Sequence, residues 1–171
     1  MPKFNTRMIT ALGVLLALEI VLSRFLSIAA WNMKIGFSFV PIVLAAILFG
    51  PVAGATVAGL GDFLGAILFP IGPYFPGFTL TAALGGAVFG LFLDRKKRSG
   101  AWWQTALAVL IHQGVLSLLL NTLWISILYT SPYVPLLVTR IAQSALMAAV
   151  QFVVIRILLR MPERLGGKQF T

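Results

Sequence analysis

The 171-residue chain has no cysteine, one histidine and only four acidic residues. Without cysteine there are no disulfides, thiolate metal sites or cysteine nucleophiles. His112 has no second histidine at metal-ligand spacing and reads as a satisfied core residue. Glu19 and Asp62 lie in different apolar runs, unlike the clustered carboxylates of a magnesium site, and read as internally paired groups. P-loop, HExxH and GxSxG patterns are missing, so neither a nucleotide motor nor a familiar hydrolytic centre is encoded. Two similar halves of the kind seen in inverted-repeat transporters are also missing. No metal and no cofactor is expected.

What the chain does contain is apolar. It is 60% hydrophobic and 10% charged, with a mean hydropathy of +1.00, which marks an integral membrane protein. A bilayer core of about 30 Å takes roughly 20 helical residues, so the length suits five or six spans and no separate soluble domain. The runs are continuous where barrel strands would alternate, which makes the fold all-α. The start MPKFNTRM is basic, but no small-residue cleavage site follows Met8 to Ile28; that segment reads as an anchor rather than a removed signal.

One domain over 1–171 with six transmembrane helices is expected, near 8–30, 37–49, 51–69, 75–93, 101–129 and 134–159. Gly50-Pro51 splits a run too long for one helix, since proline suits a first helical turn. Lysine and arginine placement sets the orientation. With both termini cytoplasmic, the inner side holds Lys3, Arg7, Arg95, Lys96, Lys97, Arg98, Arg160, Arg164 and Lys168, with Arg156 close by. The net charge of +9 is then mostly a topology signal in a multi-pass cell-membrane protein, not a nucleic-acid surface.

Of the thirteen bases, Arg24, Lys34 and Arg140 fall outside that pattern, in the outer half. Such charges need compensation. One reading is an outward-facing site for an anionic ligand, because guanidinium groups clamp carboxylates. The other pairs Arg24 and Arg140 with Glu19 or Asp62 and leaves Lys34 at lipid headgroups.

The outer side also carries LFPIGPYFPGFTLT, Leu68 to Thr81, where Pro70, Pro73 and Pro76 alternate with Phe69, Tyr74, Phe75 and Phe78. Irregular backbone near membrane depth is tolerated against protein or a cavity, so this corner reads as a stiff wall or lid. Asn121 and Trp124 share one helix face, as do Arg140, Gln143 and Ser144. Amide edges and aromatic faces suit a flat heterocycle; an interfacial aromatic belt and interhelical hydrogen bonds are the alternatives. Gly13 and Ala17 form a small-xxx-small pair, used either for packing inside the bundle or for docking another membrane subunit.

WNMKIGFSFVPI (Trp31 to Ile42), LFGPVAGA (Leu48 to Ala55), GLGDFLGA (Gly59 to Ala66), LFPIGPYFPGFTL (Leu68 to Leu80), NTLW (Asn121 to Trp124) and RIAQ (Arg140 to Gln143) together resemble the S components of energy-coupling factor (ECF) transporters, in particular the folate-specific ones. The resemblance spans nearly the whole chain. It implies a six-helix subunit that binds folate from outside with high affinity. It also implies partners: a transmembrane T subunit and two cytoplasmic ATPases, with translocation by toppling and no enzyme activity in this chain.

Gly13 and Ala17 match the family's T-subunit docking motif, with glycine in place of its first alanine. Folate contacts are implied for Arg24, Trp31, Asn32, Lys34, Phe69, Pro73, Tyr74, Phe75, Phe78, Asn121, Trp124, Arg140 and Gln143. An S component for another vitamin, or a small membrane enzyme acting on a lipid, are the alternatives.

Overall fold

A computed structural model of the chain describes residues 6–30, 33–94 and 101–160. Helix α1 (Thr6–Arg24) ends short of the expected residue 30, because Ile28–Ala30 (β1) and Met33–Ile35 (β2) form an antiparallel hairpin. Its register pairs Ile28 with Ile35, Ala29 with Lys34 and Ala30 with Met33. The Phe25 and Leu26 amides both donate to the Val21 carbonyl, and Ser27 Oγ donates to the Ser23 carbonyl at 2.6 Å, so the helix end is satisfied locally. Ile28–Ala30 continues the apolar run of the helix, and strands of three residues are too short for a pattern to detect.

Helix α2 (Phe39–Phe49) stops at Gly50, whose φ of 89° favours glycine, and Pro51 at once opens α3 (Pro51–Leu68). Pro76 does the same for α4 (Pro76–Leu93). Helices α5 (Trp102–Tyr129) and α6 (Tyr133–Arg160) follow. These boundaries agree with the sequence reading to within a residue or two. The middle of α5, Ile111–Leu120, is π-helical, which the sequence did not signal. Among the described residues five helices are long and apolar enough to cross a membrane, and α2 is a shorter apolar helix.

The tightest pairing joins α3 to α4. A Cβ on Gly86 would run into the Gly54 backbone, and one on Gly90 into Pro51, so glycine lets the two backbones touch. Beside that seam, Phe39, Val43, Ile47, Phe89, Leu93, Val109 and Ile155 form the buried core. Ile9, Val14, Leu60, Leu91, Val134 and Ile157 point outward as an apolar surface that suits acyl chains.

Trp31, Asn32, the Lys34 side chain and the bases Lys3, Arg95, Lys96, Lys97, Arg98, Arg164 and Lys168 lie outside what the structure describes.

Candidate ligand-binding cavity

Away from the core a cavity of about 690 Å³ opens among all six helices, a size suited to a small organic ligand. Phe39 and Met147, which belong to the core, reach its wall. Residues 71–75 of the proline corner border it too, as the sequence anticipated.

The two arginines expected here differ. Arg24 is engaged: its Nη2 lies 3.6 Å from Asp62 Oδ1 and donates to the Asp62 carbonyl at 3.1 Å. The internal pairing anticipated for Asp62 is therefore present, and Arg24 still borders the cavity with its Nε unpartnered. Arg140 is only 7% exposed, yet its Nε and Nη1 have no hydrogen-bond partner and no carboxylate pairs with it among the described residues. A buried, cavity-facing guanidinium with unused donors is costly unless an anion completes it.

In GLGDFLGA, Gly59 faces Ala83 of α4, but Gly61 and Gly65 do something other than bring backbones together. A Cβ on Gly61 would strike the Glu19 carboxyl, and one on Gly65 would sit 2.7 Å from Arg24 Nε. They are notches in α3 that admit two polar side chains of α1. Backbone contact occurs instead at Gly54, Gly86 and Gly90.

Of the corner aromatics, Tyr74, Phe75 and Phe78 border the cavity together with Pro73. Phe75 meets Phe78 edge to face at 6.2 Å between centroids. Phe69 departs from expectation: 43% exposed, it packs against Phe25 at 5.1 Å and does not border the cavity. Trp124 also departs, standing behind the wall. Its Nε1 donates to Thr81 Oγ1 at 2.9 Å and its ring lies 5.5 Å from Phe75, so it holds the wall in place.

Asn121 and Gln143 both border the cavity, and Asn121 Oδ1 is buried without a partner. Several cavity residues escaped the sequence reading as site residues: Glu19, Asp62, His112, Gln113, Ser117 and Gln151. His112 was expected to be a satisfied core histidine. It packs on Phe89 at 4.7 Å and is within hydrogen-bonding reach of Gln151, but its Nδ1 has no partner and it borders the cavity. The available signal was the four-residue spacing of Gln113, Ser117 and Asn121, a polar stripe on an apolar helix. That stripe runs through the π segment, a kind of irregularity frequent at functional sites.

Gly13 and Ala17 are exposed on α1, and no atom comes within 4 Å of a Cβ placed on Gly13. The described bundle does not use this pair for internal packing.

Comparison with known proteins agrees with this architecture. Residues 3–162 match the family described as the S component of the ECF-type riboflavin transporter. The chain is 38% identical to a folate transporter, FolT, of Clostridium novyi (strain NT) over 165 residues, covering 96% of this chain and 94% of that one. It is 31% identical over 128 residues to FolT of Leuconostoc mesenteroides subsp. mesenteroides, covering 75% and 68%. A crystal structure of FolT bound with folic acid superposes with a TM-score of 0.84 at 33% identity, covering 90% of this chain and 93% of that one. The lipid-enzyme alternative is thereby set aside, and the chain belongs to the family of S components, the substrate-binding membrane subunits of ECF-type transporters.

Proposed function

We propose that this protein is a folate S component, which captures folate from the outer side with high affinity and carries it across the membrane with a T subunit and two cytoplasmic ATPases. Arg140 is the observation that carries the reading: a buried guanidinium with free donors, in a cavity that also offers amide edges and aromatic faces. Folate has the matching parts, a flat pterin with donor and acceptor edges and a glutamate with two carboxylates. Both relatives are named for folate, and the solved structure holds folic acid.

Within this reading Arg140 and Arg24 receive the carboxylates, with Lys34 nearby in sequence. Asn121 and Gln143 meet the ring edge, while Tyr74, Phe75, Phe78 and Pro73 cover its faces. Trp31 and Asn32 are further folate contacts in this reading. All six helices span the membrane and the termini are cytoplasmic. Helix direction supports this: Glu19–Gly61 with Arg24–Gly65 makes α1 parallel to α3, while Pro51–Gly90 with Gly54–Gly86, Gly77–Trp124 with Gly85–His112, and Gln113–Ser144 with Leu119–Tyr133 make α3–α4, α4–α5 and α5–α6 antiparallel. The outward Gly13–Ala17 face is the T-subunit docking surface. Gly13→Leu is accordingly expected to leave folate binding unchanged and to abolish uptake by the reconstituted transporter.

Riboflavin is the second reading, favoured by the family description. It has no carboxylate for Arg140. Titration of purified protein in detergent, followed by quenching of tryptophan fluorescence, decides between them. Saturation by folic acid but not riboflavin, thiamine or biotin supports the proposal. Saturation by riboflavin alone overturns the specificity, and no response from a folded sample to any of them overturns the ligand assignment.

A further inference from the structure

The residue left over by this account is Asp62. It was expected to be a structural partner, yet its carboxylate touches two different walls of the cavity. Oδ1 faces Arg24 Nη2 at 3.6 Å, at the end of α1. Oδ2 accepts a hydrogen bond from Thr79 Oγ1 at 2.8 Å, in the first turns of α4. Thr79 Oγ1 in turn lies 3.2 Å from the Tyr74 hydroxyl in the proline corner. The Tyr74 ring is further braced edge to face by Phe63, one residue after Asp62, at 6.0 Å.

Proton counting fixes the direction of this chain. A carboxylate only accepts, so the single Thr79 proton goes to Asp62. The Tyr74 hydroxyl must then donate to Thr79. The sequence of donors, Tyr74 to Thr79 to the Asp62 carboxylate, is set by the charge at its end. That charge is held by the same guanidinium that borders the cavity, and charge-assisted bonds are the stronger kind.

We propose that Asp62 is a positioning residue that ties the proline corner to Arg24: through Thr79 it latches Tyr74 against the cavity, and through the charge on its other oxygen, with its main-chain carbonyl accepting from Nη2, it aims Arg24 at the bound anion. It touches neither wall by accident of burial, because its side chain keeps 25% of its surface exposed. A carboxylate placed only to neutralise Arg24 would have no use for the Thr79 arm. The consequence is that the rim's aromatic wall and its cationic corner are one unit, and opening one loosens the other. The part concerning the bound anion rests on the folate reading; the latch itself does not.

The test uses the full chain and keeps those two parts separate. Without ligand, backbone hydrogen exchange over residues 69–75 is compared in wild type, Thr79→Val, Tyr74→Phe, Asp62→Asn and the Tyr74→Phe/Thr79→Val double variant. Thr79→Val is expected to speed exchange there roughly three- to tenfold, the loss of one or two hydrogen bonds, with the α3–α4 seam unchanged. The double variant should match Thr79→Val alone, because the two hydroxyls act in series. Asp62→Asn should speed exchange at least as much, since one amide oxygen cannot serve both Thr79 and Arg24.

With folic acid, Thr79→Val is expected to raise the dissociation rate several-fold with the association rate little changed, read by stopped-flow quenching. Wild-type exchange at residues 69–75 in both Thr79→Val and Asp62→Asn would overturn the latch. So would additive effects of Tyr74→Phe and Thr79→Val. If wild type fails to bind folic acid, the ligand reading falls while the exchange result still decides the latch.

Discussion

The two ends of this bundle are built from the same helices on opposite principles. At one end Gly54 and Gly90 let α3 and α4 meet backbone to backbone, a seam that Gly86 carries up to the cavity wall, and Phe89, Leu93 and Ile155 are completely or almost completely buried beside it. At the other end the chain leaves about 690 Å³ unfilled and points Arg140, Asn121 and Gln151 atoms into it without partners. Glycine serves both ends differently, as a contact surface at the first and as a notch for Glu19 and Arg24 at the second. The lesson is that stability is concentrated where packing is dry, which allows the cavity end to keep polar groups unpaired until a ligand arrives.

Substitutions at the two ends should therefore separate folding from binding. The largest effect is expected from Arg140→Ala, which should weaken folic acid binding about 100-fold or more, the scale of losing a buried charge partner. Its thermal midpoint should be unchanged or higher, because a buried charge with no carboxylate partner among the described residues has been removed. Loss of the folded state instead would mean that Arg140 has a structural partner. Fluorescence titration and a thermal melt in the same detergent check both halves.

Gly90→Ala should do the reverse. Its methyl group collides with the Pro51 backbone, which is rigid, and such overpacking costs about 1–3 kcal/mol. A lowered melting point with near-normal affinity in the surviving folded protein is the expected result. Gly65→Ala tests the notch: a methyl 2.7 Å from Arg24 Nε displaces a side-chain end rather than backbone. Affinity should fall roughly ten- to a hundredfold with little change in melting temperature, the size of one charged hydrogen bond. An affinity drop matched by an equal stability loss would erase the distinction between notch and seam.

The smallest effect is expected from Pro73→Ala with Pro76→Ala. Each proline restricts the ligand-free corner, worth about 0.4–1 kcal/mol, so the double variant should lose affinity by several-fold. The change should appear as a larger entropic cost in calorimetry. Unchanged affinity would show that the corner owes its order to the Tyr74 latch and the Trp124 support alone.

Much of this division was legible beforehand. Gly50-Pro51 and Pro76 marked helix boundaries because glycine's positive φ and proline's fixed φ are local properties. Arg24, Lys34 and Arg140 stood out because charge in an apolar outer half needs a reason. The hairpin after α1 was not legible, since its first strand continues the apolar run and its three-residue strands are specified by pairing with each other. Nor was the π segment, which has no compositional mark. Phe69 was grouped with the wall from its place in the proline corner, and Trp124 with the site from sharing a helix face with Asn121, but side-chain direction placed one outside and the other behind the wall.

By itself, then, the sequence determined the membrane class, the helix boundaries marked by glycine and proline and the set of polar residues the outer half must accommodate, because hydropathy, backbone dihedral limits and the cost of buried charge act residue by residue. Only the tertiary structure decided which arginine would be satisfied. Arg24 and Arg140 are chemically identical, and what separates them is that the Gly65 notch brings Arg24 to Asp62 while no carboxylate among the described residues pairs with Arg140. Pairing over 38 positions of chain is a matter of packing, and no local pattern encodes it.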